Sequence, residues 1–226
     1  WNKNEIVELV HNYVHPETGE LITKERLEIK GLGKAKYILK PGGTLGDLYT
    51  NSDLVYNDDG YIEVDKNGNV AVKDDYMDDI YLGSVFPKYN LAWRNDFNYK
   101  GINLGVLFTA RIGGICYSAT QANMDLYGVS EASAAARDAG GVMINGRDMI
   151  DAQKWYQVIG SQSGLPQYYT YSATNVRLQE LSLGYTLPSK WFRDKMRMTV
   201  SFVGRNLWMI YCKAPFDPEA VASTGM

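Results

Sequence analysis

Several groups of residues have types and spacings that could do chemistry. His11 and His15 stand at i and i+4, which on a helix would stack two imidazoles on one side for a metal ion. Pro16 disfavours helical backbone at His15, and no Cys or third ligand lies nearby. The stretch "VDKNGNVAVKDD" sets Asp65, Asn67 and Asn69 at alternate positions, as calcium loops do, but Val70 occupies the sixth position, where such loops turn on glycine. The same residues suit a turn held by Asx hydrogen bonds, and a calcium ion would need further oxygens from Asp74, Asp75, Asp78 or Asp79. "GLGK" at Gly31 to Lys34 lacks both the spacing of a phosphate-cradling loop and its following Ser or Thr. No Ser-His-Asp order, Cys-His pair or paired carboxylates assembles with supporting context, so neither an enzyme nor a bound metal or cofactor is expected.

Binding is better provided for than catalysis. A long excursion from Gly113 to about Thr174 carries Trp155, Tyr156, Tyr168, Tyr169 and Tyr171. Such rings serve either as platforms for sugar faces or as loop packing, and their spacing fits both. Arg94 and Arg111 stand on the polar side of alternating segments, where they could line a hydrated path for substrate. Two cysteines, Cys116 and Cys212, are too few for a disulfide framework, and their spacing leaves pairing open.

The elements that must position these residues are strands. In "YNLAWRNDFNYKGINLGVLFTAR", Tyr89, Leu91, Trp93, Phe97 and Tyr99 share one parity, against Asn90, Arg94, Asp96 and Asn98. After the Lys-Gly turn, Ile102, Leu104, Val106, Phe108 and Ala110 oppose Asn103, Gly105, Thr109 and Arg111. The same design returns at Leu181, Leu183 and Tyr185 against Glu180, Ser182 and Gly184, and then at Met196, Met198, Val200, Phe202, Trp208 and Ile210. A period of two marks a sheet with one apolar face but does not name what covers it, lipid or a second sheet. The segments between are long and polar: 41–84, rich in Gly, Asn and Asp with a short hairpin expected at Tyr61 to Val72, and 113–174, where "SEASAAARDAGG" predicts a short helix capped by Ser130. "NEIVELV" reads as a strand near the start.

Short turns, strands of about ten residues and long polar loops are the rhythm of an outer-membrane barrel. Loops of this length are foreign to a small soluble sandwich. Phe97, Tyr99 and Tyr185, beside the short turns, suit an aromatic girdle at the headgroups. Composition agrees: 226 residues, 12% aromatic with 17 Tyr and 22 Gly, and a mean hydropathy of −0.29. No run reaches the ~20 apolar residues of a membrane helix. A net charge of −3 with scattered basic residues gives nucleic acid no footing. The residues from Trp1 onward show no charged n-region or apolar h-region of a signal peptide.

"NVRLQELSLGYTLP" followed by "VSFVGRNLW" resembles the C-terminal barrel of the SusC/RagA family of TonB-dependent outer-membrane transporters, with its "vRLkelsLgYtlP" strand and its "g-x-N-L" element. "FDPE" at Phe216 to Glu219, the "LGSVFPKYNLAWRNDFNYKGINLGVLF" segment and "WNKNEIVEL" are similar to further family segments. The resemblance implies an all-β fold: antiparallel strands of a transmembrane barrel, about six to eight of them here, with long extracellular loops and a short loop helix. It places residues 1–226 in a single barrel domain lacking the plug domain and the final strands. Lipid would then meet Tyr89, Leu91, Trp93, Phe97, Tyr99, Ile102, Leu104, Val106, Phe108, Leu181, Leu183 and Tyr185. The implied partners are a SusD-like surface lipoprotein, the TonB complex acting through the plug, outer-membrane lipid, and a glycan or peptide nutrient. A soluble β-rich glycan-binding module is the alternative.

Overall fold

The computed structural model describes residues 3–75, 79–161, 163–193 and 195–220. The described residues resolve into two compact units, one built on 86–114 and 172–220, the other on 4–85 and 115–171.

The second unit begins with the hairpin β1 (Val10–Val14) and β2 (Leu21–Lys24), followed by β3 (Leu27–Lys30), β4 (Ala35–Leu39), β5 (Asp47–Thr50), β6 (Ser52–Leu54), β7 (Val72–Asp74) and β8 (Ile80–Ser84). The expected "NEIVELV" strand does not form; Ile6 instead exchanges backbone hydrogen bonds with Gly42 and Gly43, and its side chain is buried. Strands β3, β4, β5 and β8 form a four-stranded antiparallel sheet in the order β3-β4-β5-β8. Within Tyr61 to Val72 the hairpin contracts to a single bridge, Val64 to Val70, beside the paired β6 and β7.

The first unit holds β9 (Tyr89–Tyr99) and β10 (Ile102–Ile112). They pair residue for residue across the two-residue turn Lys100-Gly101, both with positive φ. That is the turn whose twist matches a hairpin, and glycine adopts it without steric cost.

Chain then returns to the second unit as β11 (Ile115–Tyr117), α1 (Ala119–Leu126), α2 (Glu131–Asp138), β12 (Val142–Ile144), β13 (Asp148–Ile150), α3 (Ala152–Ile159) and β14 (Thr170–Ser172). The predicted helix is α2: Ser130 Oγ accepts the Ser133 N–H at 3.0 Å, and Gly140 follows with φ 83°. α1 and α3 were not legible as helices, though each has its own cap, Ser118 and Asp151. The two excursions that read as separate loops share one core. Leu54 and Val70 from the first pack with Tyr117, Ile144, Trp155, Leu165 and Tyr169 from the second. Each large side chain so buried stabilises the unit by ~1.5–3 kcal/mol.

The last elements, β15 (Asn175–Thr186) and β16 (Thr199–Cys212), rejoin β9 and β10 in an antiparallel sheet ordered β16-β15-β10-β9. Met196 and Met198 precede the strand rather than belong to it, although Leu187 still donates its N–H to Met198 O at 2.9 Å.

Candidate functional site

Residues paired directly across strands share a face, and the register therefore sorts the four-stranded sheet without ambiguity. One face runs in rows from β9 to β16: Tyr99, Ile102, Tyr185, Val200; then Phe97, Leu104, Leu183, Phe202; then Asn95, Val106, Leu181, Gly204; then Trp93, Phe108, Leu178, Trp208; then Leu91, Ala110, Val176, Tyr211. Tyr89 and Ile112 close it. All twelve residues expected to face lipid thus lie on one surface. It is left open: Trp93 is 63%, Phe97 58% and Phe202 78% exposed. A second sheet packed over these rings, as in a sandwich, would have buried them.

The bulge that the β15 sequence hides falls at Gln179, where Leu107 opposes Glu180 and Phe108 opposes Leu178. One extra residue inverts parity, so Val176 and Leu178 stay with the apolar rows although the following members are odd-numbered. On β16 the register slips at Asn206, φ 51°, without changing parity, since Gly204 and Trp208 both stay in the apolar rows; parity inverts at Ile210, where Met209 meets Arg177 but Tyr211 meets Val176, so Ile210 leaves the alternation expected of it.

The opposite face carries charge. Arg94 Nε lies 2.9 Å from Asp96 Oδ2, and Arg94 Nη1 lies 3.5 Å from Glu180 Oε1, reaching across β10. Arg205 Nε donates to the same Glu180 at 3.1 Å. Arg177 is 4% exposed; its Nη2 sits 2.8 Å from Asp217 Oδ1 and 3.3 Å from Glu219 Oε2, drawing the segment after β16 back to this strand. Desolvation pushes the Asp217 carboxyl up, but hydrogen bonds from Arg177 and from the Glu219 backbone outweigh it and hold the group below its usual range. Of the predicted lumen residues, Arg94 joins this lattice. Arg111 is half-buried in the row of Asn90, Asn175 and Cys212.

The aromatic candidates all fall in the second unit. Trp155 and Tyr169 are buried, and Trp155 meets Tyr168 edge to face with centroids 5.9 Å apart. Tyr156 packs against the same core, while Tyr168 stays 37% exposed and Tyr171 is half-buried on β14. Burial, reinforced by Tyr56 and Asp53, pushes the Tyr168 phenol up to about 12, and burial followed by the charge of Asp125 raises Tyr169 further. Both phenols therefore stay protonated at physiological pH.

At the calcium-like loop, Asp65 Oδ1 accepts the N–H groups of Asn67 and Asn69 at 2.8 Å, and its Oδ2 accepts from Asn69 Nδ2. These are the Asx bonds of a turn, led by the Asn69 N–H, and they lower the carboxyl pKa. Asp78 lies outside the described residues. Asp79 is bound to Arg26, and Asp74 to Ser52 and Lys34. Cys116 and Cys212 do not pair with each other; each thiol donates to a main-chain carbonyl, of Tyr171 and Ala214 respectively. His11 lies on β1, where i and i+4 do not share a helical face, and its ring meets Asn12 Nδ2 at 2.9 Å.

No family model matches the chain. Among curated proteins it is 24% identical over 163 residues to TonB-dependent receptor P3 of Formosa agariphila, a match covering 71% of this chain and 15% of the relative. The chain thus spans a small part of the length of that relative. Among solved structures it resembles the RagAB peptide transporter, with TM-score 0.57, 19% identity and coverage of 92% of this chain and 24% of the other. The closed-closed and open-open states of the RagAB peptide importer give TM-scores of 0.52 and 0.51 at 20% and 17% identity. The first covers 92% of this chain and 24% of the solved one, the second 98% and 23%. The chain is thus similar in sequence to a TonB-dependent receptor and in fold to the RagAB transporter.

Proposed function

We propose that this chain forms part of the wall and the surface loops of an importer that moves glycan oligosaccharides, or peptides, across the outer membrane with energy delivered through TonB. The single observation that carries the reading is the sheet with one exposed apolar face and one charge-paired face. On this reading the apolar rows, from Tyr89 and Leu91 to Leu183 and Tyr185, meet hydrocarbon. From the Tyr99 row to the Tyr89 row is ten residues, ~33 Å along a strand, which projects to about 25 Å at the ~40° tilt of barrel strands. That is the height of the apolar band in outer-membrane barrels, with tyrosines at both limits where they suit the interface.

The charged face lines a hydrated path in which Arg94 and Arg111 contact passing substrate. Because Arg94, Asp96, Glu180 and Arg205 are ion-paired among themselves, the middle of this wall is polar without a strong field of either sign, which suits uncharged cargo. The outer edges of β9 and β16 are paired by further strands of one barrel domain, since an open edge in lipid is costly. The unit built from the two excursions contacts a SusD-like lipoprotein, with Trp155, Tyr156, Tyr168, Tyr169 and Tyr171 close to the nutrient. TonB acts on a plug domain supplied elsewhere in the sequence.

Uptake of fluorescently labelled oligosaccharides and peptides by cells with and without TonB tests this. Uptake that depends on both this protein and TonB, together with co-purification of a surface lipoprotein, is expected. Equal uptake without TonB would overturn the reading.

A further inference from the structure

The β9–β10 and β15–β16 turns lie at the same end of the four-stranded sheet, beyond the row of Tyr99, Ile102, Tyr185 and Val200. The first turn carries Lys100, and the second carries Lys190, Arg193, Lys195 and Arg197, with Asp194 alone of opposite sign in its sequence. The whole chain has a net charge of −3, so this end is a basic island in an acidic protein. The opposite end of the sheet is of mixed sign, with Lys88 and Lys213 against Asp217 and Glu219.

The turn cations are placed differently from those of the charged face. Arg94, Arg177 and Arg205 are each held by carboxylates. Lys190, Arg193, Lys195 and Arg197 are exposed, and none of them is ion-paired among the described residues. Lys100 Nζ lies 5.2 Å from the centroid of the Tyr99 ring.

The longer turn is ordered by its own backbone. A 3₁₀ turn over Ser189–Phe192 ends at Arg193 in left-handed backbone, φ 52°. Trp191, Arg193 and Lys195 donate their N–H groups to the carbonyls of Pro188, Lys190 and Phe192 at 3.0, 3.2 and 3.1 Å. A partner docking on such a turn need not order it.

Apolar groups are interleaved with the charge. Leu187 and Met198 stand one row beyond Tyr185 and Val200, on the same side of the sheet. Met196 and Met198 are exposed, and Trp191 is 69% exposed. The open apolar face thus continues without a break into the turn, where cations surround it. An acidic protein segment would answer the charges but not this continuity. A phospholipid monolayer answers both: hydrocarbon meets the methionines, the interface suits the indole, and phosphates meet Lys and Arg, whose long stems lie along apolar surface while their charge stays in water.

We propose that this end of the sheet is a docking rim for anionic phospholipid headgroups, with Lys190, Arg193, Lys195 and Arg197 around Trp191 taking the phosphates. It rests on the reading that lipid covers the apolar face and goes beyond it by assigning the charge of that lipid. Short turns of outer-membrane barrels face the periplasm, so the leaflet concerned is the inner one.

The test exchanges the intact detergent-purified protein into mixed micelles of equimolar phosphatidylglycerol and phosphatidylcholine and counts the retained lipids by native mass spectrometry. Wild type should retain phosphatidylglycerol over phosphatidylcholine by fivefold or more. The fourfold variant Lys190→Gln, Arg193→Gln, Lys195→Gln, Arg197→Gln should fall below twofold. The double variant Lys195→Gln, Arg197→Gln should lie between them, and it reads the same effect if the fourfold variant does not assemble. Exchanging Lys for Arg and Arg for Lys at the four positions should keep the preference, as should Lys88→Gln with Lys213→Gln at the other end. The proposal is overturned if wild type shows no preference or if the Gln variants retain it in full. Displacement of the lipid by inorganic phosphate beyond that by chloride at equal ionic strength, or by polyglutamate, would overturn it as well. Insertion into vesicles separates the two levels. A protein that enters neutral phosphatidylcholine vesicles yet shows no preference retires the rim alone, whereas one that enters neither neutral nor anionic vesicles retires the lipid-facing reading with it.

Discussion

Arg177 on β15 and Asp217 beyond the end of β16 are joined in a two-point ion pair, with Nη2 to Oδ1 at 2.8 Å and Nη1 to Oδ2 at 3.3 Å. Glu219 completes the charge balance from the other side. The guanidinium is buried and the carboxylates are partly exposed, so the members are not equivalent: removing the acids leaves a cation in a dry site, whereas removing the arginine leaves acids that water can reach.

The double variant Asp217→Asn, Glu219→Gln should therefore be more harmful than Arg177→Met. We expect a loss of about 3 kcal/mol for the former, seen as faster hydrogen exchange in 213–220 and in β15. If Arg177→Met is the worse of the two, the buried guanidinium is not the element that organises this segment.

Asn95 occupies the middle row of the apolar face, opposite Val106, and its Nδ2 is buried without a hydrogen-bond partner. Asn95→Leu should stabilise the folded protein by ~1–3 kcal/mol, the cost of an unsatisfied buried amide. In contrast, Val106→Arg beside it should cost ~2–4 kcal/mol if hydrocarbon covers this row. Denaturant titration of the protein refolded into lipid vesicles, followed by gel mobility without boiling, reads both changes. Normal assembly of Val106→Arg would count heavily against lipid on this face.

Arg26 holds the Asp79 carboxyl at about 2, with the Asn51 amide assisting against desolvation. An unfolded aspartate titrates near ~3.9. A depressed pKa contributes stability that is complete above the unfolded value and is lost as pH falls through the folded one. The Arg26→Ala protein should thus melt below wild type at pH 6 by an amount on the order of 2 kcal/mol. The gap should close between pH 4 and pH 2. A gap that persists undiminished at pH 2 would show that Arg26 acts by packing instead of charge.

Gly101 takes φ 88° in the β9–β10 turn, and a Cβ there would approach Thr186 O to 2.9 Å. Gly101→Val combines backbone strain with a main-chain clash and should slow insertion and cost ~1–3 kcal/mol. Asn at the same position, which tolerates left-handed backbone, should lose less of the insertion rate measured in vesicles.

The sequence by itself determined the hairpin at Lys100-Gly101, the apolar and polar sides of β9 and β10, the α2 cap at Ser130 and the Asx turn at Asp65. All depend on neighbours within a few residues, and strand period and turn chemistry report such neighbours directly. Only the tertiary structure decided the rest. The bulge at Gln179 on β15 and the shift at Ile210 on β16, between Met209 and Tyr211, invert parity and become visible only against a partner strand. Arg94, Glu180 and Arg205 form one lattice because β10 and β15 bring separate segments side by side. Two excursions that looked like polar loops share a core because their few apolar residues, Leu54 and Val70 in one and Trp155 and Tyr169 in the other, are too sparse for either segment to form a core alone. Likewise Tyr61 and Arg147 meet only because the Asn145 amide stands in for a strand 83 residues away. Side-chain pairing across such separations leaves no periodic trace in the chain, so composition and spacing could not have disclosed it.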